Sequence, residues 1–434
     1  MRNFITVLFT LFSLLGNAQN ENELLNNTNT NSNNNSNTNF NTYGNGTVTA
    51  DTSVVKEEAE MDEDLKVPKR KLEKELLKEK GKDKSTRGYS SNAPGVAETK
   101  ALEVVEAPSP LPSIQSSQEY KSTSYGFSTT KQKASVQRLQ RSPSIEQQVQ
   151  MDEAVGYFEV NSPNSFEFHY FKYASGNYDI SLIENLKNAE KLRPNNADVQ
   201  VQLAAYNMIK RDNDSAIGYL EKLKMAGKLT ENTLYYAEDI LLSVPENGVL
   251  ITHGFDDSFG TWYNQNKTDV RKDVTIVSLD FLQSAHYREL LKEDGFKLPE
   301  STVIDVEFLK SFCELNSSKS ISISLTTPKE YFKPLQNNLF ITGLVFEYHK
   351  GEFDNFHRND DLWNSTLKKH LVDNATDEKS KQLSSNYLPM LLQLRKVYVK
   401  MDAKEKLKEV DDASDKVSVQ CRKYEQVQKL KNSY

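Results

Sequence analysis

The sequence predicts an α/β fold joined to an α-helical repeat. A small, mostly parallel sheet should be flanked by tetratricopeptide-like helical hairpins, behind a long disordered N-terminal third. Three observations predict this. Apolar residues recur at helical spacing through 178–244. Between 246 and 350, short apolar runs rich in β-branched residues alternate with helical patterns, the signature of parallel strands with crossover helices. Before 149 the chain is Asn-rich and then charge-rich, with too little apolar surface to offset the entropy of ordering its backbone.

Taken in order, residues 1–18 have the form of a secretory signal. Arg2 supplies the positive start, Phe4 to Leu15 the apolar core and Gly16-Asn17-Ala18 the small-residue cleavage site. No later run approaches the ~18 apolar residues of a membrane span. The expected location is therefore periplasmic or secreted, with no integral membrane span after signal removal. Residues 19–148 pass from Asn, Thr and Ser through a Lys/Glu/Asp mixture to a Ser/Pro/Gln-rich stretch, and are expected to be a disordered linker. The net charge of −7 excludes the basic footprint that nucleic acid requires.

Residues 149–245 should be the helical-repeat region. Ile180, Ile183, Leu186 and Ala189 share one helical face. Leu203, Ala204, Ala216 and Leu220 follow the paired-helix pattern, with Asp214 as cap of the second helix and Thr230 as cap of the next. Residues 246–350 should be the small α/β domain. Its strands are expected in "GVLITHG", "DVTIVSL", "SISISLT" and "NLFITGLVF", with Asp280 capping the helix after the second. Residues 351–434 should return to helix, with a hairpin over 386–417 and a long polar helix running to the end. The two cysteines, Cys313 and Cys421, allow either a disulfide or two buried thiols.

The candidate site is the turn after the first strand, "THGFDDSFGTWY". His253, Asp256 and Asp257 should lie at the carboxyl end of a parallel strand, where open α/β sheets bind ligands. Two carboxylates and an imidazole can hold a metal or activate water, and Trp262 and Tyr263 can stack on a sugar. The structural alternative is equally concrete: an Asp or Ser caps the helix, and the aromatic residues pack on the sheet. No nucleotide loop, H-x-x-x-H pair or G-x-S-x-G elbow occurs, so no catalytic residue, metal or cofactor is assigned.

The segment 251–287 holds Gly254, Asp257, Phe259, Trp262 and Tyr263, then Arg271, Asp273, Val274, Val277 and Leu279. In these residues it resembles the extramembrane C-terminal region of protein O-mannosyltransferase-like multi-pass membrane proteins. Later pieces, "LFITGLVFEYHKGEFDN" and "NYLPMLLQLRKVYVKM", are also similar. His253, Phe255, Asp256 and Gly260 depart from the pattern. The resemblance implies tetratricopeptide-like helices beside a small α/β domain. Without the membrane-spanning glycosyltransferase domain, it implies a shared accessory module and no shared activity. The expected function is a non-catalytic scaffold or binding module for an envelope protein or a glycosylated segment. The alternative is a hydrolase or glycan-processing enzyme using His253, Asp256 and Asp257.

Overall fold

The computed structural model describes residues 114–433. The signal-like segment and most of the expected linker lie outside these residues. Helices come first: α1 (Ile114–Ser135), α2 (Ile145–Asn161), α3 (Phe166–Ser175), α4 (Ile183–Leu192), α5 (Ala197–Lys210), α6 (Asn213–Met225) and α7 (Glu231–Ser243). Helix α1 and the start of α2 fall inside the stretch expected to be linker. The reason is local and tertiary at once. Ser144 and Gln147 form a reciprocal capping box that starts α2. Phe127 of α1 then stacks on Phe171 of α3, with ring centroids 3.9 Å apart, and both are buried with Met151 and Phe158.

Successive hairpins bury small, linked cores. Leu186, Ala189, Val199 and Leu203 join α4 to α5, and Ala204, Ala205, Ala216 and Leu220 join α5 to α6. The cap of α6 is Asp212, whose carboxylate accepts from Ser215 N; Asp214 sits in the first turn instead. Thr230 caps α7 through Thr233 N, as expected. The polar residues Gln200 and Asn207 are buried because each finds a backbone carbonyl, Pro194 O and Leu203 O respectively.

The α/β region continues with β1 (Val249–Thr252), α8 (Gly254–Lys267), β2 (Thr275–Ser278), α9 (Ala285–Glu293), α10 (Val306–Leu315), β3 (Ile321–Ser324), α11 (Lys329–Phe332), β4 (Leu339–Thr342) and β5 (Val345–Tyr348). Among the described residues the sheet order is β2-β1-β3-β5-β4. The first three strands are parallel; β5 runs antiparallel to β3, and β4 antiparallel to β5. The run "NLFITGLVF" is therefore a hairpin, because Gly343 adopts a φ of +57° and reverses the chain. The sheet is mixed.

Pairing and alternation assign side chains to the two faces. One face is apolar: Val249, Ile251, Ile321, Ile323, Phe346, Tyr348, Leu339 and Ile341. The other is mixed, with Thr252, Ser278, Ser322, Ser324, Glu347 and Thr342 beside Leu250, Ile276, Phe340 and Val345. These polar side chains are buried; the hydroxyls of Ser322 and Thr342 have no hydrogen-bond partner among the described residues, while others on the face are satisfied. Ser258 of α8 meets two of them, Thr252 Oγ1 at 2.8 Å and Ser278 Oγ at 3.1 Å.

The chain ends in α12 (Phe356–Asp361), α13 (His370–Asn374), α14 (Glu378–Ser384), α15 (Leu388–Lys400), α16 (Lys404–Gln420) and α17 (Tyr424–Lys431). The expected final helix is broken at Cys421–Lys423, where Arg422 takes a φ of +58°. Cys313 and Cys421 are both buried thiols, not joined to each other. Among the described residues no helix is long and apolar enough to cross a membrane.

Arg271 ties α7 to the sheet. All five of its N–H donors are used, by Leu241 O, Val244 O, Pro245 O and both oxygens of Asp273. The guanidinium hydrogen-bonds hold the Asp273 carboxyl well below the usual range. Arg271→Ala should cost about 2–3 kcal/mol in urea unfolding, and Arg271→Lys should recover little of it, because a point-like ammonium cannot span those acceptors. A lysine variant as stable as the parent would contradict this role.

Candidate functional site

The sheet has a topological switch point. From β1 the chain crosses through α8 to β2 on one side; from β2 it returns past β1 to β3 on the other. The crevice beyond the carboxyl ends of β1 and β3 is where ligands of such sheets normally lie. His253, Asp256 and Asp257 come from the β1 side of it; Ser324 and Thr326 come from the β3 side.

His253 leaves β1 in extended conformation, and Gly254 turns the chain with a φ of +72°. The helix therefore starts at Gly254. That puts both aspartates in its first turn, where the dipole favours negative charge, and removes them from the capping position. The expected Asp or Ser cap is thus corrected. The carboxylate that serves the helix start is Asp280, beyond β2: its Oδ2 accepts from Gly254 N at 2.7 Å. Asp280 itself caps no helix of its own. Its Oδ1 accepts from Arg141 Nε at 2.9 Å.

Asp257 is completely buried. Its Oδ2 accepts from the hydroxyls of both Ser324 and Thr326, which closes the crevice from the β1 side to the β3 side. Burial pushes its carboxyl up to about 7, against those two hydrogen bonds and helped by the charges of Asp256 and Asp280. Asp256 pairs with Lys379 Nζ at 2.5 Å, with both side chains largely buried. Burial, with the Arg141 guanidinium alongside, pushes the His253 imidazole down to about 3 and keeps it neutral at neutral pH. For Asp280 burial acts upward, but the Arg141 guanidinium and the Gly254 N–H outweigh it and hold the carboxyl low.

Trp262 and Tyr263 lie further along α8 and face elsewhere. Both pack into the helical cluster with Leu220, Leu234 and Phe281, and Tyr263 donates to Glu221 Oε1 at 2.9 Å. The structure thus gathers His253, Asp256 and Asp257 at the strand ends and parts them from the aromatic pair. Sequence reasoning missed Arg141, Asp280, Lys379, Ser324 and Thr326 as partners of the turn. The alternating serines of "SISIS" were the one available signal, because they mark a polar strand face. Among the described residues no group of three or more His, Cys, Asp or Glu side chains is placed to hold a metal ion.

Asp257 gives a pH-dependent prediction. Its carboxyl keeps its proton in the fold up to about pH 7 but loses it near 3.8 in the unfolded chain. Between those values the native state binds more protons. Stability from this group therefore falls as pH rises, by up to about 1.4 kcal/mol per pH unit. Asp257→Asn should remove that slope, so the variant should gain on the parent in urea midpoints from about pH 5 to about pH 8. A constant difference across that range would contradict the buried, protonated carboxyl.

These features define a class of protein: stacked helical hairpins leading into a small mixed α/β sheet whose switch-point crevice is filled from within. Residues 233–429, fewer than half of the chain, match the family model described as TMEM260-associated domain 2. The matched segment runs from α7 through the sheet to α17 and includes the whole turn. It agrees with the similarity to an extramembrane region seen in the sequence. No curated protein and no solved structure matches the chain.

Proposed function

We propose that this chain is a non-catalytic protein of the cell envelope, periplasmic or secreted, that works as a scaffold or binding module for protein partners or glycosylated segments. One observation carries the reading: the crevice where such a sheet would hold a substrate is occupied by the protein's own groups, Asp257 on Ser324 and Thr326, and Asp256 on Lys379. The signal-like first 18 residues support the location. The helical hairpins offer the extended surfaces that repeat proteins use for partners. Similarity to a TMEM260-associated domain supports an accessory module. Cross-linking in the native envelope should recover a stoichiometric partner whose capture depends on residues 149–434; no such partner after exhaustive cross-linking would overturn the reading.

A second reading is favoured by one specific observation. A carboxyl poised at about 7 is what a general acid or base needs, and Asp257 has it. A hydrolase or glycan-processing enzyme would use Asp257 with Asp256 and His253. Thermal unfolding with Mg²⁺, Ca²⁺, Mn²⁺ or Zn²⁺ separates the two readings. An upward shift lost in Asp256→Ala and Asp257→Ala favours the enzyme, and no shift favours the binding module.

A further inference from the structure

The connection between α1 and α2, residues 136–144, lies against the α/β region. Gln140 forms an antiparallel bridge with Asp305, just ahead of α10. Arg141 N donates to Ile304 O at 2.6 Å, and Val306 N donates to Leu139 O at 3.2 Å. Ile304 N donates to Ser142 Oγ at 3.4 Å, and Arg138 meets Glu330 at 3.4 Å. The deepest contact is Arg141. Its side chain is only 5% exposed, and its Nε donates to Asp280 Oδ1 at 2.9 Å. The guanidinium thus reaches the carboxyl end of β2, alongside His253 at the end of β1.

Two features set this contact apart from ordinary packing. The first is how it is held. Of residues 136–144 only Arg141 is buried, and Leu139 is 61% exposed. Hydrogen bonds and ion pairs therefore hold the segment, with little apolar burial to keep it shut. A buried ion pair adds specificity but little net stability, because both partners lose their hydration when it closes. Helices α1 and α2 bury their own apolar residues with α3, through Phe127, Met151, Phe158 and Phe171, so the hairpin stays folded if the segment lifts. The second feature is what the segment covers. It lies over the carboxyl ends of parallel strands, where sheets of this topology bind ligands. Its arginine also bears on Asp280, the carboxylate whose other oxygen holds Gly254 N at the start of α8.

We infer that residues 136–144 form a latch that opens and closes over the β1–β2 side of the crevice, with Arg141 on Asp280 as its catch. Closed, it seals His253, which is 7% exposed, and Asp280. Open, it admits an outside group to both. A molecule that binds the open form shifts the balance toward it. The latch gates the crevice under either functional reading, and its test needs no partner, metal or substrate.

Diethyl pyrocarbonate tests this in the whole chain, because it acylates neutral imidazole, the form that His253 keeps at neutral pH. Mapped by mass spectrometry, His253 should label slowly in the parent beside the exposed His357. Arg141→Ala removes the buried ion pair and should speed His253 labelling about tenfold or more. Arg138→Ala removes only the outer pair with Glu330, should act in the same direction, and decides the matter if the first variant does not fold. Raising salt from about 50 mM to about 500 mM should also speed labelling of the parent, by weakening the ion pairs. The buried thiol of Cys313 reports global unfolding and should stay unreactive throughout. In hydrogen exchange, segments 136–144 and 300–306 should lose protection together and ahead of β1 and β3. Labelling of His253 that neither variant nor salt changes would overturn the inference. So would labelling of His253 and Cys313 in step, which is the mark of unfolding, or exchange of the two segments only at the rate of β1 and β3.

Discussion

Asp239→Ala should cost roughly 3–5 kcal/mol, because it leaves three donors without an acceptor inside the protein. Asp239 is fully buried on α7. Its Oδ1 accepts from Lys368 N at 2.7 Å; its Oδ2 accepts from Lys369 N at 2.9 Å and from Tyr387 Oη at 2.5 Å. Burial pushes its carboxyl up, and the same hydrogen bonds oppose that rise. The residue thereby fastens the helical array to the C-terminal helices, and Tyr387, equally buried, has its hydroxyl satisfied there. Asp239→Asn should rescue only part of the loss. One oxygen survives, but the new amide points N–H groups at donors. Urea unfolding followed by circular dichroism measures both variants. A loss under about 1 kcal/mol for the alanine variant would show that water replaces the carboxylate and that the anchor is dispensable.

Gly343→Val should be comparably damaging, by roughly 3–5 kcal/mol, through strain and overlap. Gly343 is the first of two residues joining β4 to β5, and its φ of +57° is the one a II′ hairpin demands there. A Cβ at this position would lie 2.8 Å from Ser243 Cβ and closer still to Ser243 Oγ. That hydroxyl cannot retreat, because it accepts from Leu344 N at 2.9 Å and donates to Asp239 O at 2.7 Å. The turn is held again from the other side, where Gly343 N donates to Asn359 Oδ1 at 2.8 Å. Gly343→Ala should be milder in degree and alike in kind. Thermal and urea midpoints for both variants check the expectation, and a valine variant of parental stability would mean that the hairpin pairs differently.

Asp239 and Gly343 illustrate what periodicity can and cannot convey. The helix containing Asp239 was legible from "NTLYYAEDILLSV", because its apolar spacing is a property of neighbouring residues. Its partners at 368, 369 and 387 were not, because more than a hundred residues separate them from it. In the same way, "NLFITGLVF" announced an extended apolar segment, but no local signal distinguished one long strand from two short ones around a glycine. Helix α1 was hidden for a different reason. Its composition is that of a linker, and it becomes a helix by packing Phe127 against Phe171, a contact that composition does not encode.

The candidate turn shows the same division. The residue types at 253–257 and their position after a buried strand could be read directly. Their chemical state could not. Asp256 needs Lys379, Asp257 needs Ser324 and Thr326, and His253 is neutral because burial and Arg141 surround it.

By itself, then, the sequence determined the kind of chain this is: helical hairpins, then strands alternating with helices, then helices again, with an acidic turn after the first strand. Those features arise from spacings of two to four residues, over which one segment's own side chains decide its form. Only the tertiary structure decided which partners the carboxylates of that turn meet and which proton each one keeps. Those outcomes depend on burial and on charges brought together from distant segments, and both come into being only when the chain has folded.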